Sequence, residues 1–177
     1  MDKQIYIING VGGAGKDTVC ELAAERYRVQ NVSSITPIVE IAKFAGWDGV
    51  KTPASRRLLA RLKEVFTEYN DLSFSYCMEQ LAAFRAGNAQ ILFVHIREPE
   101  EIERFRKAAG ENCRTLLVRR PSLEARGQLG NRADDSVEEY QYDEILVNDG
   151  TVEQLREKTF ALLERKLKCT KADNIVE

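Results

Sequence analysis

A single histidine among 177 residues, with four cysteines scattered at positions 20, 77, 113 and 169, removes the usual material of a zinc site. No Cys-x-x-Cys pair occurs, so the thiols are expected to be reduced and idle, as in a cytoplasmic chain. Long apolar runs are missing too. None approaches the roughly 20 residues that cross a bilayer, and Met1-Asp2-Lys3 leads straight toward a strand without a secretory-leader pattern. Net charge is nearly absent: -2, from 26 basic and 28 acidic residues. No general basic field draws in nucleic acid or an acidic membrane, so any phosphate must be recognised by local clusters. What is present, 44% hydrophobic and 31% charged residues, suits one globular domain over 1–177.

Gln4 to Asn9 is a short β-branched and aromatic run ended by glycine, the pattern of a strand buried on both faces. Helical spacing follows from Lys16 to about Tyr27. Asn31 to Ile35 reads as a weaker strand, and Thr36 as the cap of a helix that has Pro37 at its first position and stops at Gly46. Leu58, Leu59, Leu62, Val65, Phe66 and Tyr69 recur at helical spacing and are expected to pack in the core. Asp71 reads as a break and new cap, with the following helix ending at Gly87. Ala89 to Ile96 is a second strong strand, Pro99 to Ala109 a helix and Arg114 to Val118 a strand. Glu144 to Val147 is a last short strand. Thr151 with Gln154 forms a capping box for a final helix to about Lys168, beyond which the tail is expected to fray. This alternation predicts an α/β fold in three layers, a parallel five-stranded sheet with helices on both faces. Two segments depart from it. Residues 36–87 form a helical insertion, and residues 119–136, with four arginines and no apolar period, read as a flap.

Between the first strand and its helix stands Gly10-x-x-x-x-Gly15-Lys16-Asp17-Thr18. Glycines at 10, 12, 13 and 15, with the small Ala14, let backbone N–H groups converge on phosphate oxygens. The helix N-terminus adds partial positive charge, and Lys16 can reach the outer phosphates. The pattern predicts a P-loop NTPase fold binding ATP. Asp17 stands where a Ser or Thr hydroxyl commonly meets Mg²⁺, so its carboxylate is expected to act through the cation or toward the acceptor, while Thr18 serves an inner phosphate.

The Gly-Lys-Asp-Thr form of this loop resembles that of the deoxynucleoside monophosphate kinases, and also that of the animal-type phosphomevalonate kinases. Pro37 to Ala42, Lys51-Thr52-Pro53 with Arg56 to Leu59, and Val94 to Glu101 resemble further segments of the first family. Asn148-Asp149-Gly150-Thr151 is similar to a feature of dephospho-coenzyme A kinases. His95 departs from the resemblance, since the family usually has Asp there. The resemblance implies a kinase using ATP and Mg²⁺, with Asn148 and Gly150 beside the nucleotide.

Phosphoryl transfer asks for positioning and charge neutralisation, so arginines are expected around the phosphates. Arg97, at the end of a central strand, and Arg56 and Arg57, opening a helix, are candidates for an acceptor phosphate. Arg119, Arg120, Arg126 and Arg132 cluster in the flap, with Arg126 and Arg132 as candidate stabilisers of the transferring group. His95 reads as a satisfied core histidine. The expected partner is a small phosphorylated substrate, a nucleoside or deoxynucleoside monophosphate, with phosphomevalonate, dephospho-coenzyme A or a purely regulatory nucleotide-binding role as alternatives. Oligomeric state stays open.

Overall fold

The computed structural model describes residues 3–124, 137 and 140–172, with backbone alone for 124 and 166–172. Its strands are β1 (Gln4–Asn9), β2 (Val29–Ser33), β3 (Ile91–His95), β4 (Cys113–Arg119) and β5 (Glu144–Val147). All pair in parallel in the order β2-β3-β1-β4-β5. The helices are α1 (Lys16–Ala24), α2 (Thr36–Phe44), α3 (Pro53–Asn70), α4 (Leu72–Ala86), α5 (Pro99–Ala109), the turn α6 (Pro121–Glu124) and α7 (Val152–Ala172).

Side chains of a strand alternate between faces, and this alternation divides the core in two. Tyr6, Ile8, Phe93, Leu116 and Val118 pack with α1 and α7, through Val19, Leu22, Leu155 and Leu163. Ile5, Ile7, Leu92 and Val94 pack with α4 and α5, through Leu81, Phe84, Ile102 and Phe105. The expected three-layer α/β fold is the fold observed. Arg26 stacks on the Phe160 ring at 3.8 Å and Arg156 pairs with Glu25 at 2.9 Å, tying α1 to α7.

Several local expectations need correction. β2 begins at Val29, two residues early, because parallel pairing with Ile91 and Leu92 recruits Val29 and Gln30. The Gln30 amide donates to Gln80, so its polarity is satisfied at the sheet edge. α1 stops at Ala24, where Glu25, Arg26 and Tyr27 close in tight turns on Leu22 and Ala23. Thr36 is the first residue of α2 and not its cap; Ile35 holds that place with no side-chain bond. Asp71 does separate α3 from α4, in the left-handed region (φ 54), but its carboxylate pairs with Arg104 and makes no cap bond. α7 runs on to Ala172.

The largest correction concerns α3. Leu58, Val65 and Tyr69 are exposed, at 43, 57 and 78%. Leu59, Leu62 and Phe66 are only half-buried, and Ser55 is the one buried residue of the helix. The stripe is thus not core packing. α3 lies outside the layer that α4 forms on the sheet, so its inner side meets α2 and α4 while its outer side meets solvent.

Candidate active site

In a parallel sheet every strand ends on the same edge, and the connections decide where a crevice opens. β1 leads to α1 on one face, while its neighbour β3 leads to α5 on the other. The glycine loop after β1 and the segment Ile96-Arg97 after β3 therefore flank the point where the chain diverges.

The loop is held from three sides. Gly10 adopts φ 148, and a Cβ there would overlap the Val118 carbonyl oxygen, so the loop runs against the backbone of β4. Gly15 adopts φ 106, and a Cβ would come within 2.6 Å of Asn148 Nδ2. That amide donates to the Ala14 carbonyl at 2.9 Å, while the Asn148 backbone N–H donates to Arg119 at 2.7 Å. Asn148 so pins the loop to the ends of β4 and β5. Gly12 has open space around its Cα and an ordinary φ; side-chain room is no reason for glycine there. Gly13 lies at φ 84 and its carbonyl accepts from Arg120 at 3.3 Å, so the start of the arginine-rich segment touches the loop.

The third support is Asn9, fully buried at the end of β1. Its Oδ1 accepts the Gly10 N–H at 2.8 Å. Its Nδ2 donates to the Tyr142 hydroxyl at 2.8 Å and to the Arg97 carbonyl at 3.3 Å. Tyr142 in turn donates to the Val137 carbonyl, and burial pushes its hydroxyl up to about 12. One side chain thus fixes the loop entrance relative to Arg97. Sequence reasoning passed over it; a lone polar residue closing an apolar strand was the available signal.

α1 begins with Val19 donating to the Gly15 carbonyl. The helix offers no acceptor to the N–H groups of Gly15, Lys16, Asp17 and Thr18, which point outward from its positive end. The Lys16 ammonium lies back across the loop, donating to the Gly10 carbonyl and to that of Val11 at 3.1 Å. Asp17 is exposed and Thr18 half-buried.

His95 ends β3 beside these groups. Its Nε2 lies 2.8 Å from Asn31 Oδ1 and 3.8 Å from Cys20 Sγ. An amide oxygen only accepts, so Nε2 carries the hydrogen and Nδ1 the lone pair. Burial lowers the imidazole from 6.5 to about 4; Asp17 opposes this, and Lys16 and Arg97 reinforce it. The ring is neutral at neutral pH, a satisfied histidine, but one within the electrostatic reach of the loop. Burial also holds the Cys20 thiol at about 12, so it is inert.

Arg97 lies two residues past the end of β3. One residue further, Glu98 and Glu101 at the start of α5 both accept from Lys63 of α3, at 2.7 and 2.9 Å. Burial alone would lower the Lys63 pKa, but the two carboxylates outweigh it and raise it. Lys63, unremarked in the sequence, clasps the insertion to the start of α5, just after Arg97. Arg56 and Arg57 are exposed near the start of α3, on the insertion and not at the sheet edge. Gly150 precedes the cap of α7, where Thr151 and Gln154 exchange bonds of 2.9 and 3.3 Å as expected. Arg126 and Arg132 lie outside the described residues. Among the described residues no three His, Cys, Asp or Glu side chains converge as a metal cage, and no helix is long and apolar enough to cross a membrane.

No family model matches the chain, and no curated protein matches it. Solved structures do. An unliganded sugar kinase from Janibacter sp. is 15% identical, with a TM-score of 0.55 over 93% of this chain and 95% of that one. The dephospho-CoA kinase of Campylobacter jejuni is 14% identical, with a TM-score of 0.53 over 92% and 97%. A shikimate kinase from Bacteroides thetaiotaomicron is 18% identical, with a TM-score of 0.50 over 91% and 98%. At these identities the likeness is one of fold, here a five-stranded parallel sheet between two helical layers.

Proposed function

We propose that this protein is an ATP-dependent phosphotransferase acting on a small phosphorylated acceptor, a nucleoside or deoxynucleoside monophosphate. The observation that carries the reading is the loop itself: backbone at Gly10 and Gly15 that no larger residue fits, opening a helix whose first-turn N–H groups have no acceptor within the helix, with the Lys16 ammonium lying across the loop. N–H groups so gathered, with a helix N-terminus behind them, bind phosphate. Gly10, Gly12, Gly13, Ala14, Gly15 and Thr18 supply that cradle, Lys16 the charge for the outer phosphates, and Asn148 and Gly150 the wall on the β5 side.

Mg²⁺ is held by one or two carboxylates together with phosphate oxygens and water, not by a dedicated cage. Asp17, exposed on the first turn of α1 with Thr18 beside it, fits that requirement. When bound, the cation neutralises charge between the outer phosphates. Arg97, after β3, is assigned to the acceptor phosphate together with Arg56 and Arg57 of the insertion 36–87. Arg126 and Arg132, in the segment 119–136, are assigned to the transferring group. Their role requires that segment to cover the site, as closing loops do in phosphotransferases.

A second reading, a nucleotide-binding regulator without turnover, draws on one observation: a neutral imidazole at 95, where the resembled kinases carry a carboxylate. Measuring ATP consumption with nucleoside and deoxynucleoside monophosphates, phosphomevalonate and dephospho-coenzyme A separates the readings. Stimulation by a monophosphate is expected. Stimulation by one of the other acceptors alone moves the acceptor class. ATP binding without stimulation by any of them overturns the enzymatic proposal in favour of the regulator.

A further inference from the structure

The side of α3 turned away from α2 and α4 carries a regular apolar stripe that the rest of the chain leaves largely uncovered. Leu58, Leu62, Val65 and Tyr69 follow one another by four, three and four positions, the repeat of a helix that packs along a second helix. Three of them are exposed, and so are Phe44 (95%), the last residue of α2, and Val50 (57%), in the connection to α3. Scattered exposed apolar side chains need no explanation, but a continuous seam along a helix about 27 Å long does.

The charges beside the seam are segregated. Arg57 and Arg61 occupy the first half of α3, Glu64 and Glu68 the second. Each like-charged pair stands four residues apart, a spacing that disfavours an isolated helix. None of the four makes an ion pair or hydrogen bond among the described residues. By helical angle Arg61 and Glu68 lie on the same flank of the seam, one turn beyond Leu58 and Val65. If a second α3 lies antiparallel across the seam, Leu62 meets Val65 of the other copy, Leu58 meets Tyr69, and Arg61 meets Glu68. Twofold symmetry repeats each of these contacts, and the charge segregation that burdens one helix becomes complementary in two.

We propose that α3 is a self-association surface on which a second copy of this chain docks antiparallel. The parallel alternative sets Arg61 beside Arg61 and Glu68 beside Glu68 and is disfavoured. The occupant is a second copy because the surface is complementary to itself in one orientation, in both its seam and its charge.

Sedimentation velocity on the full chain over a roughly hundredfold dilution series tests this, since self-association is concentration-dependent. A dimer that dissociates on dilution is expected. Val65→Asp, at an exposed position that leaves the fold intact by circular dichroism, weakens it at least tenfold. Arg61→Glu and Glu68→Arg each weaken it at low salt, and Arg61→Glu with Glu68→Arg in one chain restores it, because the swapped charges meet again across the twofold. A protein that stays monomeric throughout the series, a dimer indifferent to Val65→Asp, or a double variant no stronger than the singles overturns the proposal. None of the substituted residues, Arg61, Val65 and Glu68, belongs to the proposed kinase machinery, so the test stands apart from turnover.

Discussion

The glycine loop and the helical insertion are built by opposite means. Around the loop every constraint is duplicated: Gly10 is pressed on β4, Gly15 on Asn148, and Asn9 ties the entrance to Arg97 and Tyr142 from below. Around α3 there is one buried residue, a clasp through Lys63, and an apolar side left to solvent. Groups aimed at a triphosphate must be placed within fractions of an ångström, which only a rigid frame achieves. A surface that receives a varied acceptor, or another copy, needs adhesion more than rigidity. Low local stability is expected of the insertion and high stability of the loop.

The contrast can be broken most severely at Lys16. Lys16→Ala is expected to lower ATP-dependent turnover by roughly a thousandfold while leaving the thermal midpoint unchanged, since the side chain lies across the loop, on the Gly10 and Val11 carbonyls, and not in the core. Paired steady-state kinetics and calorimetry check both halves.

Asp17→Asn comes next. It keeps shape and removes charge, and turnover is expected to fall roughly ten- to a thousandfold. Binding of metal-free ATP should stay the same or tighten, because a carboxylate beside triphosphate repels it. Titrating ATP with and without Mg²⁺ decides this; weaker metal-free binding with spared turnover would make Asp17 a helix-end residue only.

Gly10→Ala sharpens the comparison in stability instead of rate. A Cβ against the Val118 carbonyl, at a φ that L-residues avoid, should cost about 2–4 kcal/mol. Gly12→Ala, with nothing near it, should lie within about 0.5 kcal/mol of the parent. Urea unfolding of the two variants measures the difference, and equal costs would show the loop to be less constrained than its geometry says.

His95 offers a pH test, made clean because it is the only histidine. With a folded pKa near 4 against 6.5, its contribution is complete above about pH 6.5 and is lost as pH falls toward 4, because the unfolded ring binds the proton first. The loss amounts to about 3–4 kcal/mol at most. His95→Asn should flatten that part of the stability curve; an unchanged slope would assign it to the carboxylates.

Smallest of all is the effect expected on the insertion. Val65→Ala should change stability by less than about 0.5 kcal/mol in dilute protein, as for other exposed positions. A cost above about 2 kcal/mol, the scale of a core truncation, would mean that α3 is covered even under those conditions.

Local pattern carried the sequence reading furthest where chemistry and chain geometry are confined to a few neighbouring residues. β1, α5 and β5 have their expected bounds because apolar runs and Gly or Pro punctuation lie within the elements themselves. The phosphate loop was legible because φ above zero, small side chains and a helix start are properties of consecutive residues. Other features depend on what comes from elsewhere in the chain. Asn9 gains its role from Tyr142 and Arg97, and Lys63 from Glu98 and Glu101. β2 takes its start from the register of β3. The stripe on α3 has a 3.6-residue period whether a sheet, a second helix or water lies opposite, so its periodicity announced an apolar face without saying what covers it. That was decided by tertiary structure, because α4 already occupied the sheet.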